Sequence, residues 1–110
     1  MKPTFLEFRH LKTLLALKET GSVSLAAKRV YLTQSALSHQ IKLIEEQFGL
    51  PLFERKSNPL RFTSAGERLI RLANEVMPKI VDAERDLARV KHGDAGQLRI
   101  TLLYTSDAAD

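Results

Sequence analysis

Gln34, Ser35, Ser38, His39 and Lys42 fall on one side of the chain if residues 33–48 form a helix, which turns roughly 100° per residue. Their side chains are neutral or basic and donate hydrogen bonds, and most also accept them. The acids Glu45 and Glu46 come only after them. A solvated face usually mixes charges from its start. A face that keeps acids out of its first turns and offers Gln, Ser, His and Lys suits the base edges and phosphates of a duplex major groove. The same pattern also fits an ordinary amphipathic helix with a polar outside, so the neighbouring elements must decide.

The helix that would carry this face has its own signals. Thr33 stands where an N-cap belongs, its hydroxyl free to accept from an orphan amide of the first turn. Leu32 before the cap and Leu37 at the fourth helical position make a hydrophobic staple. Leu37, Ile41, Ile44 and Phe48 form the opposite, apolar side, widened by Ala36 and Leu43, and Gly49 closes the helix. Upstream, Glu7 to about Thr20 reads as a first helix on the spacing of Phe8, Leu11, Leu14, Leu15, Ala16 and Leu17. Gly21 follows as a left-handed terminator. Ser22 then caps a short second helix through about Val30, with Leu25, Ala26 and Val30 inward and adjacent alanines allowing close approach. A short helix, a tight connection and a helix with a polar N-terminal half make the helix-turn-helix plan. The competing reading is a helical hairpin that merely packs.

The period then changes. Leu52-Phe53-Glu54-Arg55 and Leu60-Arg61-Phe62-Thr63 are short alternating runs separated by Ser57-Asn58-Pro59, which is turn chemistry. This predicts a two-stranded hairpin with Phe53 and Phe62 toward the core and Arg55, Lys56, Asn58 and Arg61 projecting. Beside a helix-turn-helix, such a hairpin is a wing placed to meet phosphates or the adjacent minor groove. The fold class is therefore mainly α with a small β-hairpin, a winged helix-turn-helix DNA-binding domain over 1–63.

Residues 64–92 read as one long helix. Ser64-Ala65-Gly66-Glu67 matches the S-x-x-E capping box, with Thr63 as the competing cap. Leu69, Ala73, Val76, Ile80, Ala83, Leu87 and Val90 alternate spacings of four and three, the pattern of a coiled-coil seam. A lone helix would leave that stripe in water, so the expectation is a homodimer through this linker. The alternative is a helix folded back on its own domain. Pro78 lies off the seam and predicts a kink rather than an end. After a polar, glycine-containing break, 93–101 looks like a hinge and the first strand of a further domain. Alternation fails abruptly over 102–110, which resembles read-through of a common transposase sequencing adapter and is expected to be a non-native tail.

Composition fits this picture. The 110 residues carry a net charge of +4 and a pI near 9.6, which meets the usual threshold for a nucleic-acid footprint. Lys28, Arg29, Lys42, Arg55, Lys56 and Arg61 flank or follow the polar helix. There is no cysteine, hence no thiolate metal site or Cys nucleophile. No run is long enough to span a membrane, and the start lacks the pattern of a signal peptide; the expected location is the cytoplasm. His10, His39 and His92 stand at no metal-ligand spacing, and no HExxH, phosphate loop or glycine-flanked serine elbow occurs. The expectation is no enzyme, no catalytic residue and no metal, with each histidine at a surface or interface.

Taken together, Ala26-Ala27, Thr33-Gln34-Ser35-Ala36-Leu37-Ser38, Ile41, Ile44-Glu45, Gly49, Leu52-Phe53, Arg55, Thr63, Ala65 and Gly66 resemble the N-terminal signature of LysR-type transcriptional regulators. The resemblance covers about Phe8 to Ile100. It implies a winged helix-turn-helix, a dimerising linker helix and an effector-binding domain of which only a first strand would be present. It further implies that Gln34, Ser35, Ser38, His39 and Lys42 face DNA, that Thr33 caps and contacts phosphate, and that Arg55 is a wing contact. Asn58 departs from the Arg the family often has there, and Ile44 replaces a common Leu. The run from Arg55 to Thr63, with His10-Leu11-Lys12-Thr13-Leu14 and His39-Gln40, is similar to the branch that controls methionine biosynthesis. That branch implies homocysteine as effector of a complete protein and no cofactor in these residues. The expected partners are a double-stranded operator and a second copy, with a higher oligomer for the full-length protein. The competing function is a non-catalytic helical dimerisation or interaction module, which would ignore DNA.

Overall fold

The structure is a computed structural model and describes residues 4–54 and 56–91. Four helices follow in order: α1 (Phe8–Thr20), α2 (Val23–Arg29), α3 (Gln34–Phe48) and α4 (Ser64–Lys91). Their ends are set by local chemistry. Gly21 and Gly49 sit at φ 68° and 66°, the left-handed conformation that terminates α1 and α3 with N–H bonds back to the carbonyls of Leu17 and Glu45. Ser22 Oγ accepts from the Leu25 N–H at 3.2 Å, and Thr33 Oγ1 accepts from the Ala36 N–H at 3.0 Å. Each satisfies one of the amides a helix start leaves orphaned.

The chain divides into two units, 1–75 and 76–110. In the first, α1, α2 and α3 pack on one another around Leu14, Leu17, Ala26, Ala27, Leu37, Ile41 and Ile44, all essentially without solvent exposure. The paired alanines of α2 bring that helix close, as expected. Leu52 and Ile70 complete the cluster, with Leu32, Phe53 and Phe62 against its edge. Several apolar positions expected inside are not: Leu25, Leu43 and Phe48 are about half exposed and Ala36 is exposed. Leu25, Ala36 and Leu43 lie at the borders of their helices' apolar arcs and Phe48 at the very end of α3, where the three-helix core is too small to cover them.

Two expectations need correction. The expected hairpin is reduced, among the described residues, to a single antiparallel bridge between Phe53 and Phe62. The Glu54 N–H donates to the Arg61 carbonyl at 2.8 Å and the Thr63 N–H to the Leu52 carbonyl at 3.0 Å. The ladder does not lengthen because Pro51 and Pro59 have no N–H, and the Arg61 N–H is taken by Ser57 Oγ. At the start of α4 the competing cap wins: Thr63 Oγ1 accepts from the Gly66 N–H at 3.2 Å, and Ser64 is the first helical residue. Glu67, freed from a capping box, pairs with Lys18 at 2.9 Å.

The helix α4 passes through Pro78 without ending. Gly66, Ile70 and Ala73 are its buried face in the first unit. Ala73 has no exposed surface, so it cannot serve the inter-copy seam assigned to it, and Leu69 packs on the core. The first turns of the helix are claimed by their own domain because Gly66 has no side chain to hold them off. In the second unit, Val76, Ile80 and Val90 are partly exposed, and Ala83 and Leu87 exposed. The expectations for Arg55, His92, the hinge at 93–101 and the tail at 102–110 lie outside the described residues.

Candidate nucleic-acid interface

The α3 helix splits as its periodicity requires. Leu37, Ile41 and Ile44 are 2% exposed or less, while Gln34, Ser35, Ser38, His39 and Lys42 are all exposed. The structure therefore brings these five onto one open face. Beside it, Ser38, His39, Lys42 and Glu45 line a shallow cleft with Val23 and Phe53. Thr33 is exposed at the head of α3, its hydroxyl engaged by the cap.

The basic residues divide into two sets. Arg29 is paired with Glu19 at 2.7 Å, and Arg61 with Glu54 at 3.2 Å. Lys28, Lys42 and Lys56 are exposed and have no carboxylate partner among the described residues. Exposed ion pairs contribute only about 0–1 kcal/mol. Arg29 and Arg61 can therefore exchange their carboxylates for phosphates at small cost. Lys56 and Tyr31 hold left-handed backbone, at φ 64° and 60°. Tyr31 is 95% exposed in the turn leading into α3. Sequence reasoning passed over it, although a bulky residue at a helix-turn-helix corner was a signal.

Other features were not legible. His10 was expected at a surface or interface, yet it is 4% exposed. Its Nδ1 accepts from the Glu7 N–H at 3.0 Å. Burial, reinforced by nearby Arg9 and opposed by Glu7, pushes its pKa below the usual 6.5. Glu45 was grouped with Glu46 as an acid beyond the polar face. Its Oε2 instead accepts from the Leu52 N–H at 2.8 Å, a contact seven residues along that no helical or strand period announces. Among the described residues no three His, Asp or Glu side chains converge on a point that could hold a metal, and no helix is long and apolar enough to cross a membrane.

Residues 8–67, a buried three-helix core with an open polar α3, match the family of bacterial regulatory helix-turn-helix proteins, lysR family. The chain belongs to the lysR family. It is 96% identical over 102 residues to the HTH-type transcriptional regulator MetR of Haemophilus influenzae, covering 93% of this chain and 33% of that protein. It is 54% identical over 78 residues to MetR of Escherichia coli K12, covering 71% of this chain and 25% of the relative. The chain thus spans about a third or less of the curated relatives it matches. Among solved structures it is similar to the BenM DNA-binding domain in complex with catB site 1 DNA. That likeness has TM-score 0.73 and 29% identity, over 84% of this chain and 99% of the other. The CbnR DNA-binding domain in its DNA complex matches with TM-score 0.64 and 29% identity, over 79% and 99%.

Proposed function

We propose that the chain is the sequence-specific DNA-binding part of a transcription regulator of methionine-biosynthesis genes. The observation that carries this reading is the α3 face: five exposed donors with no acid among residues 34–42, backed by three buried aliphatics. Gln34, Ser38 and His39 discriminate bases. A two-point Gln–adenine contact is worth about 1–3 kcal/mol of discrimination. Ser35 and Thr33 flank them. Lys28, Arg29, Lys42, Arg55, Lys56 and Arg61 supply phosphate contacts that set affinity and register. The MetR relatives support the choice of genes, and homocysteine is the corresponding effector of the complete protein, bound outside these residues. The work is DNA recognition in the cytoplasm, not catalysis.

The second unit supports self-association. Val76, Ile80, Ala83, Leu87 and Val90 keep a stripe with four exposed or partly exposed branched aliphatics on a helix, and pairing two copies would remove it from water. A dimer implies two half-sites and a roughly palindromic operator. The test is a gel shift on a duplex selected from a random pool. Ser38→Glu, which sets an acid against the bases, should abolish specific binding with helical circular dichroism unchanged. Unaltered affinity would remove α3 as the reading face.

A further inference from the structure

Three elements meet at Leu52. Its N–H donates to Glu45 Oε2 of α3 at 2.8 Å. Its carbonyl accepts from the Thr63 N–H at 3.0 Å. The same Thr63 donates its hydroxyl to the Pro51 carbonyl at 2.6 Å and caps α4 by accepting from Gly66. Gly66 then lies so close that a Cβ would stand 2.0 Å from the Leu52 oxygen. Leu52 itself is 2% exposed. The segment carrying the wing thus leaves α3 through one charge-assisted hydrogen bond and returns to α4 through one threonine.

We propose that Glu45 is a positioning residue for DNA binding: its carboxylate sets the height of the wing segment against α3, so that Lys56 meets phosphate while α3 reads bases. This rests on the DNA-binding reading above. The β-bridge and the Leu60 N–H bond to the Gly21 carbonyl at 3.3 Å hold the far strand of the wing to its partner and to the end of α1, but neither reaches α3. A hydrogen bond to a charged group is worth roughly twice a neutral one. The carboxylate is also an acid on the rim of the basic face, beside Lys42. Such a group costs DNA affinity by repulsion unless its bond to Leu52 returns more.

The test is a double-mutant cycle on the 110-residue chain, using a duplex selected by the wild type from a random pool. The variants are Glu45→Met, which keeps the stem but accepts no comparable hydrogen bond, Glu45→Gln, Lys56→Ala and the Met–Ala double. Glu45→Met should weaken specific binding about tenfold or more, in line with losing one charged hydrogen bond, and abolish the further effect of Lys56→Ala. Glu45→Gln, whose amide oxygen still accepts from Leu52, should stay within about threefold of wild type, because losing the repelling charge offsets the weaker bond. Amide exchange at Leu52 should be slow in wild type and in Glu45→Gln, a readout that does not require Glu45→Met to fold. If Lys56→Ala weakens the Met variant as much as the wild type, or if Leu52 exchanges freely in the wild type, the proposal is overturned alone. If the wild-type chain selects no duplex, the DNA-binding reading fails and takes this one with it.

Discussion

The imidazole of His10 lies flat on Phe5, with ring centroids 5.4 Å apart and planes 9° from parallel. Phe5 in turn meets Phe48, at the end of α3, edge-on at 6.0 Å. The segment before α1 is thereby packed against the last turn of α3. The ring's Nδ1 accepts the Glu7 N–H, an arrangement available only to neutral imidazole.

Acidification should therefore loosen this corner. Burial holds the folded-state pKa of His10 below 6.5, so between those values the unfolded chain binds more protons. The stabilisation is complete above 6.5, erodes as pH falls below it, and is gone once pH passes through the lowered folded value. Thermal melts from about pH 7.5 to about 5.5, a range in which few other side chains titrate, should show a falling Tm for wild type. His10→Asn, which can accept but not titrate, should start lower and change less. Parallel curves would rule out His10 as the source.

Gly66→Ala should destabilise the chain, against the usual gain of about 1 kcal/mol for Ala over Gly in a helix. The added Cβ would stand 2.0 Å from the Leu52 carbonyl oxygen and 2.9 Å from the Phe62 ring. Backbone cannot yield as a flexible side chain does, so the cost is about 2 kcal/mol or more. A denaturation midpoint equal to or above wild type would refute the close approach.

Lys42→Ala should weaken binding to selected and random duplexes alike and flatten the salt dependence by about one unit of slope. The residue is exposed next to Ser38 and His39 in the cleft, which leaves its ammonium open to a phosphate. Fluorescence anisotropy across a salt series measures it. An unchanged slope takes Lys42 out of the phosphate set.

Ile80→Lys should shift the chain to monomer in sedimentation velocity while leaving its helical signal intact, because it places a charge in the partly exposed aliphatic stripe of the second unit. Ala73→Ser should act differently. It puts a hydroxyl at a position with no exposed surface, and so lowers Tm without changing the association constant. Equal loss of dimer from both would mean that the seam starts earlier than Val76.

The amino-acid order alone was enough for most of what depends on neighbours within a turn or two. The helices α1 to α3, their Ser22 and Thr33 caps, their glycine stops and the polar face of α3 follow from periodicity and side-chain chemistry over short spans. Tertiary structure decided what depends on distance along the chain and on how much surface a small core can cover. It buried His10 because Phe5 stacks on it and exposed Phe48 and Leu43 at the rim of the core. It made Thr63 rather than Ser64 the cap, because that hydroxyl also reaches Pro51, and took Ala73 out of the stripe for the domain's own use. The Glu45–Leu52 bond belongs to the same class: its partners are brought together by the path of the chain around Gly49 and Pro51, and no local period encodes that path.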